Sequence, residues 1–195
     1  MTKRFTITYD YLCPFARIAC EAVVEAVESG ADYDVTFAPF SLHQNRLEDG
    51  DTAVWDRPVD DAGRGVLAHL WAIVVRDQFP EKFNAWHVAL FNAKHDDGSD
   101  INDGTVLARV ATEVGLDQRL IAEQVASGIP AKTLAAEHTD LVEQHGVFGV
   151  PTFLGDGEAV FVRFMERHKL EDLDRVIGML GWTNVNEFKR TSIPR

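Results

Sequence analysis

Cys13-Pro14 sits where a strand-like run meets a helical stripe, and this junction restricts the folds open to the chain more than any other feature. Phe5, Ile7 and Tyr9 alternate with Thr6, Thr8 and Asp10, which predicts a strand over 4–10. From Pro14 the apolar residues Phe15, Ile18, Ala19, Ala22, Val23, Ala26 and Val27 recur at helical spacing. Glu21, Glu25 and Glu28 fall on the opposite side, and Gly30 supplies a stop. Tyr33, Val35 and Phe37 alternate again up to Pro39. The first forty residues therefore read as a β-α-β unit with a cysteine at the strand-to-helix turn. A second cysteine three residues on would complete a Cys-x-x-Cys pair, but Ala16 stands there.

The position of Cys13 suggests its chemistry. The first turn of a helix presents unpaired N–H groups and the positive end of the dipole. Both favour a thiolate, which is the nucleophilic form. Arg17, one turn along, is expected to add positive charge, whereas a nearby Asp10 opposes it. Cys20, the other cysteine, lies on the flank of the apolar stripe and reads as a core residue. Seven residues apart on one helix, the two Cα atoms stand about 10 Å apart. That is beyond the roughly 7 Å that a disulfide spans, so both are expected to be reduced, as in a cytosol.

After Pro39 the pattern changes. Residues 41–62 are polar and irregular, and 63–145 carry only helical signals. Val66, Leu67, Leu70, Trp71, Val74 and Val75 form one stripe. Pro80 suits a first helical position. Asp103 is a candidate cap, and Gly115, Gly128 and Gly146 are candidate stops for three further helices. Trp55, Trp71 and Trp86 are expected mostly in the core. Strand signals return at Val150-Pro151-Thr152-Phe153-Leu154, and Asp156-Gly157 marks a hairpin. Leu170 to Leu180 reads as a last helix, with Trp182, Val185 and Phe188 packing onto the body and Lys189-Arg190 and Pro194-Arg195 facing solvent. This order implies a split α/β domain with helices inserted in its middle.

At 195 residues the chain is long enough to bury a core without staples. A net charge of −12 disfavours nucleic acid and anionic membrane as partners. No signal-type apolar segment and no 18-residue apolar run is found, so a cytoplasmic location is expected. The seven histidines show no His-x-x-x-His spacing, and no metal site is expected. His138 and His145 read as solvated or capping residues. His43 carries more weight, because it follows the second strand near the same end of the sheet. Val150-Pro151, an X-Pro bond entering a strand, is a candidate cis peptide.

Three features together resemble the DsbA family of thioredoxin-like proteins. These are Tyr9-Asp10-Tyr11-Leu12-Cys13-Pro14-Phe15-Ala16, Phe148-Gly149-Val150-Pro151-Thr152-Phe153, and the helical block between them. The similarity covers most of the chain. Phe37-Ala38-Pro39-Phe40-Ser41-Leu42 with Asn45-Arg46, and Glu187-Phe188-Lys189-Arg190-Thr191, look like the cytosolic actinobacterial branch associated with the small thiol mycothiol. The resemblance implies an α/β, thioredoxin-like fold with an all-helical insertion. Residues 1–44 and 146–195 would form the thioredoxin-like domain, and 45–145 the helical insertion domain.

It also implies that Cys13 attacks a disulfide or electrophile and that the Val150-Pro151 loop faces it. Pro14, Phe15, Ala16, Val150, Pro151 and His43 then form the expected thiol- and substrate-binding set. With Ala16 at the resolving position, the expected activity is that of a monothiol oxidoreductase. Its mixed disulfide is resolved by a low-molecular-weight thiol, mycothiol or glutathione, acting as co-substrate, and no cofactor is tightly bound. Two alternatives stand beside it. One is a transferase or isomerase similar to the kappa-class enzymes that uses a bound thiol. The other is a non-catalytic binding protein of the same fold. The expected partners are a small thiol and a disulfide or electrophile, and a homodimer stays open.

Overall fold

A computed structural model of the chain describes residues 2–59 and 63–185. Strand β1 (Lys3–Tyr9) leads into helix α1 (Pro14–Glu28), which returns to strand β2 (Tyr33–Pro39). The polar loop that follows includes the short 3-10 turns Gln44–Arg46 and Val54–Asp56. Helices α2 (Val66–Gln78), α3 (Pro80–His95), α4 (Gly104–Glu113), α5 (Gln118–Ala126) and α6 (Ile129–Glu143) form the helical block. Strands β3 (Thr152–Gly155) and β4 (Glu158–Phe161) and helix α7 (Leu170–Met179) complete the described order.

The four strands lie in the order β2-β1-β3-β4. β1 runs parallel to β2 and antiparallel to β3, with Ile7 opposite both Phe37 and Phe153. Because β1 is central, Phe5, Ile7 and Tyr9 are buried. Each such side chain contributes about 1.5–3 kcal/mol relative to exposure. α1 packs against α3 and α7, so the helix that begins at Cys13 is held by the helical block as well as by the sheet. α6 lies on β2 and α2.

Local chemistry explains the element ends. Pro80 opens α3. Asp103 caps α4 by accepting the Thr105 N–H at 2.8 Å. Asp156 and Gly157 have φ of 53° and 84°, the left-handed pair that a two-residue hairpin requires.

Several expectations are corrected. Asp10 lies past the end of β1, and Val150-Pro151 precede β3. Glu21 is buried, not solvent-facing, because it accepts from both Arg17 and Arg167. His138 is neither solvated nor a cap. It is buried under Phe40 and Trp55, with its Nδ1 accepting the Ser41 N–H at 3.2 Å. His145 is 39% exposed beside Asp140. Trp182 and Val185 are 57% and 52% exposed, so neither packs onto the body as expected. Phe188, Lys189-Arg190, Pro194-Arg195 and the segment 187–191 lie outside the described residues.

Burial pushes the His138 ring down to about 4. An unfolded chain therefore binds a proton at this residue where the folded one does not. The folded state gains from this above the ordinary value of 6.5 and loses it progressively as pH falls toward about 4. The loss is expected to reach about 2–3 kcal/mol. Urea unfolding of the wild type at neutral and mildly acidic pH reads it. His138→Gln should be destabilised by about 1–2 kcal/mol at pH 7 through its poorer bond to Ser41. It should also show a smaller acid-induced drop than the wild type, and parallel acid curves would contradict the assignment.

Candidate thiol site

Cys13 is the N-cap residue of α1, with extended backbone (φ −93°, ψ 115°) and Pro14 at the first helical position. Its Sγ accepts the Ala16 N–H at 3.4 Å. Across from it, the Val150 carbonyl lies 3.5 Å from the sulfur, within reach of the S–H. The Val150-Pro151 peptide is cis. The loop is fixed by its neighbours: the Thr152 N–H donates to Thr8 Oγ1 at 2.9 Å, and the Thr152 hydroxyl donates to the Gly149 carbonyl at 2.8 Å. Asn45, from the loop after β2, donates to the Phe148 carbonyl at 3.1 Å.

The turn that carries the cysteine is held by a buried carboxylate. Asp10 is fully enclosed, and its two oxygens accept the Leu12 and Leu42 N–H groups, each at 2.8 Å. One side chain thus ties the exit of β1 to the exit of β2. The Cys13 N–H closes the turn onto the Asp10 carbonyl at 2.9 Å, and His95 Nε2 reaches the Tyr11 carbonyl at 2.9 Å. Gly65, at the start of α2, touches the same turn: it has φ +78°, and a Cβ there would stand 3.1 Å from Leu12.

The electrostatics differ from the expectation drawn from position alone. Burial pushes the Cys13 thiol above its ordinary value, and the Asp10 charge adds to this. The N–H groups of Ala16 and Phe15 and the Arg163 guanidinium pull the other way without overcoming burial. Only 8% of Cys13 is exposed, so the helix head acts on a sulfur largely withdrawn from water. Arg17 is not the expected local cation, since it is spent on Glu21, Asn92 and Asp96. Arg163 takes that place, lying over the Phe15 ring at 5.5 Å. Nothing in the sequence pattern pointed to it, because it follows β4, far along the chain. Cys20 is fully buried and its thiol is pushed well up by burial.

Of the expected residues, Cys13, Ala16 and Val150 meet directly, with Pro14, Phe15 and Pro151 adjoining in the chain. His43 has no hydrogen bond to any of them among the described residues. Its buried Nδ1 is unpartnered, and its ring lies against Gly63. Two residues before Val150, Phe148 is 65% exposed and meets the Phe161 ring at a tilt, with centroids 5.0 Å apart. A cleft of about 520 Å³ lies elsewhere, between α6 and the sheet, lined by Thr6, Thr36, Arg76, Glu137, Asp140 and His145 among others. The expected thiol-binding residues do not line it. Among the described residues no cluster of three or more His, Cys, Asp or Glu could hold a metal, and no helix is long and apolar enough to cross a membrane.

Comparison with known proteins agrees with this geometry. The description of a DSBA-like thioredoxin domain matches residues 6–178. The uncharacterized protein Rv2286c of Mycobacterium tuberculosis is 25% identical over 191 residues, which are 95% of this chain and 81% of that protein. The solved structure of a probable DsbA oxidoreductase, SCO1869 from Streptomyces coelicolor, superposes with a TM-score of 0.63 at 18% identity, covering 96% of this chain and 93% of that one. A 2-hydroxychromene-2-carboxylate isomerase superposes with a TM-score of 0.61 at 16% identity, covering 93% and 97%. At these identities the two structures show a shared fold.

The raised Cys13 thiol has a measurable sign. A group pushed up carries less thiolate at neutral pH, so its reactivity rises with pH past the ordinary value of 9.0. Iodoacetamide should alkylate Cys13 about threefold or more slowly than free cysteine at pH 7.5. The rate should still be climbing where the free amino acid levels off, with Cys20 unlabelled in the folded protein. A plateau below pH 8 would overturn the claim that burial dominates.

Proposed function

Because the chain belongs to the DSBA-like thioredoxin domain family, with its thiol–disulfide oxidoreductase-like chemistry, we propose that it is a monothiol oxidoreductase acting through Cys13 in the cytoplasm. The observation that carries this reading is the meeting of one cysteine sulfur, a helix N-terminus and the Val150 carbonyl of the proline loop, with Ala16 where a resolving cysteine would stand. The Cys13 thiolate attacks one sulfur of a disulfide R–S–S–R′. A Cys13–S–S–R bond forms, and R′–S⁻ leaves and takes a proton. A second small thiol then attacks the mixed disulfide, releasing Cys13 and carrying R away as a new disulfide.

Pro14, Phe15, Ala16, Val150 and Pro151 border the reacting sulfur, with Phe148 and Phe161 as an apolar shelf for the acceptor. The His43 ring, which lies against Gly63, is proposed to border the tail of the small thiol; its Nδ1 has no hydrogen-bond partner among the described residues. Mycothiol and glutathione are the co-substrates proposed. The resemblance of the 37–46 segment to the actinobacterial branch favours the first. Two free thiols with no disulfide suit a reducing compartment.

A second reading is favoured by one observation. A thiol that burial keeps protonated and that is directed at the Val150 carbonyl is suited to donate a hydrogen bond. In that role Cys13 orients a bound thiol that does the chemistry, as a transferase or isomerase would require. The fold shared with the chromene-carboxylate isomerase accommodates this.

Incubation with the disulfides of mycothiol, glutathione and cysteine, followed by intact-mass measurement and peptide mapping, separates the two. One adduct per chain is expected, on Cys13, lost in Cys13→Ser and kept in Cys20→Ser. An adduct confined to Cys20, or none, would sink the redox reading. Thiol-dependent turnover that survives Cys13→Ser would favour the second reading.

A further inference from the structure

Arg163 takes no part in the exchange steps of Cys13, yet it stands at their edge. Its guanidinium lies 5.5 Å over the ring of Phe15, two residues past the cysteine. The side chain is exposed, but its base is anchored on both sides. The Val162 N–H donates to the Pro151 carbonyl at 3.1 Å, which ties this segment to the cis-proline loop that faces the sulfur. Phe164 is buried against Phe153, with ring centroids 6.0 Å apart. A cation held at its root and backed by an aromatic face loses less freedom when it binds.

The cations nearby are committed. Arg17 is engaged with Glu21, Asn92 and Asp96. Arg167 donates to Glu21 through Nε and Nη2 at 2.7 and 3.0 Å, and Lys169 lies 3.8 Å from the Glu166 carboxylate. Arg163 has no hydrogen bond or ion pair to another described residue. Its planar fork of N–H donors, which matches a carboxylate two bonds at a time, is therefore unclaimed. Nor is its charge spent on the sulfur: it favours the Cys13 thiolate without overcoming burial. The chain as a whole carries −12, so an anionic molecule approaching Cys13 is repelled except where a local cation receives it.

We propose that Arg163 is a specificity-determining residue of the thiol site: it receives a carboxylate on the acceptor whose sulfur Cys13 attacks, and so selects carboxylate-bearing small disulfides over neutral and cationic ones. The Cys13 thiolate attacks the sulfur of the carboxylate-bearing arm R. The Cys13–S–S–R bond forms with the carboxylate of R on Arg163, the R–S–S–R′ bond breaks, and R′–S⁻ leaves and takes a proton from solvent. The inference rests on Cys13 as the reacting thiol. It concerns the acceptor, not the small thiol that later resolves the mixed disulfide.

Three methanethiosulfonates of similar size, with 2-carboxyethyl, 2-hydroxyethyl and 2-aminoethyl arms, test it on the full chain. Each passes its R–S group to the Cys13 thiolate and releases methanesulfinate. Rates are measured at one pH for wild type, Arg163→Gln, Arg163→Lys and Arg163→Glu, each verified as folded by circular dichroism. Peptide mapping assigns the label to Cys13, and division by the rates with 2-mercaptoethanol removes the reagents' own differences. The hydroxyethyl rate reads the thiolate content alone, so the carboxyethyl-to-hydroxyethyl ratio reads recognition. That ratio should be about fivefold higher in wild type than in Arg163→Gln, the factor for unit charges a few ångströms apart in water. Arg163→Lys should keep part of the preference, and Arg163→Glu should turn it toward the aminoethyl reagent. High salt should collapse the wild-type preference. Equal ratios in wild type and Arg163→Gln, with all three rates lowered alike, would show that Arg163 acts on the sulfur only and would overturn the inference. Charge-ordered labelling of Cys13 in a chain that forms no mixed disulfide with small disulfides would sink the redox reading alone. A Cys13 inert to all three reagents would overturn both.

Discussion

Everything near the sulfur depends on a negative charge placed where water cannot reach it. Asp10 is enclosed at the point where β1 ends, and its carboxylate draws the Leu12 and Leu42 N–H groups onto it. A buried ion is tolerated only when such partners are supplied, so the two loops converge on it. The cysteine turn lies on one side and the loop that presents Ser41 to Asn45 on the other. Asn45 in turn reaches the Phe148 carbonyl, which brings the proline loop into the same frame. The geometry of Cys13 against Val150 is thus a product of strand ends gathered around one side chain.

The β-α-β opening, five helices of the block, the Asp156-Gly157 hairpin and the final helix were all legible in the sequence, because each rests on local signals. Alternation, helical stripes, Pro at a first turn, Asp at a cap and Gly at a stop act within a few residues of themselves. The cysteine turn at the head of α1 and the cis Val150-Pro151 peptide were legible for the same reason. The acidity of Cys13 was not. A helix head is a local feature, but enclosure depends on what other segments bring to the sulfur, and here enclosure wins. Arg17 was misplaced by the same reasoning: its proximity to Cys13 along the helix matters less than the carboxylates of Glu21 and Asp96 that claim it.

The histidines make the same case more sharply. His69, His87 and His138 sit on three different helices and carry no spacing that a motif search would detect. Only the packing of α2, α3 and α6 turns their rings toward Tyr9, Tyr11 and Phe40. Conversely, Trp182 and Val185 carry the composition of packed residues yet stand exposed, since nothing in the described chain covers them. Side-chain character sets what a residue prefers, and the tertiary arrangement decides whether the preference is met.

The distribution of indole rings has an optical consequence. Of the four tryptophans, Trp55, Trp71 and Trp86 lie between β2 and β3, with Trp71 and Trp86 stacked at 6.1 Å and 12°, while Trp182 follows α7. No tryptophan is carried by a strand or by α1. Tryptophan emission therefore reports on the inserted helices, their loop and the exposed Trp182, whereas the β-α-β half that bears the sulfur carries only the weaker tyrosine emitters Tyr9, Tyr11 and Tyr33. An engineered indole in β2 or α1 would be needed before tryptophan fluorescence alone could tell whether the two halves melt together.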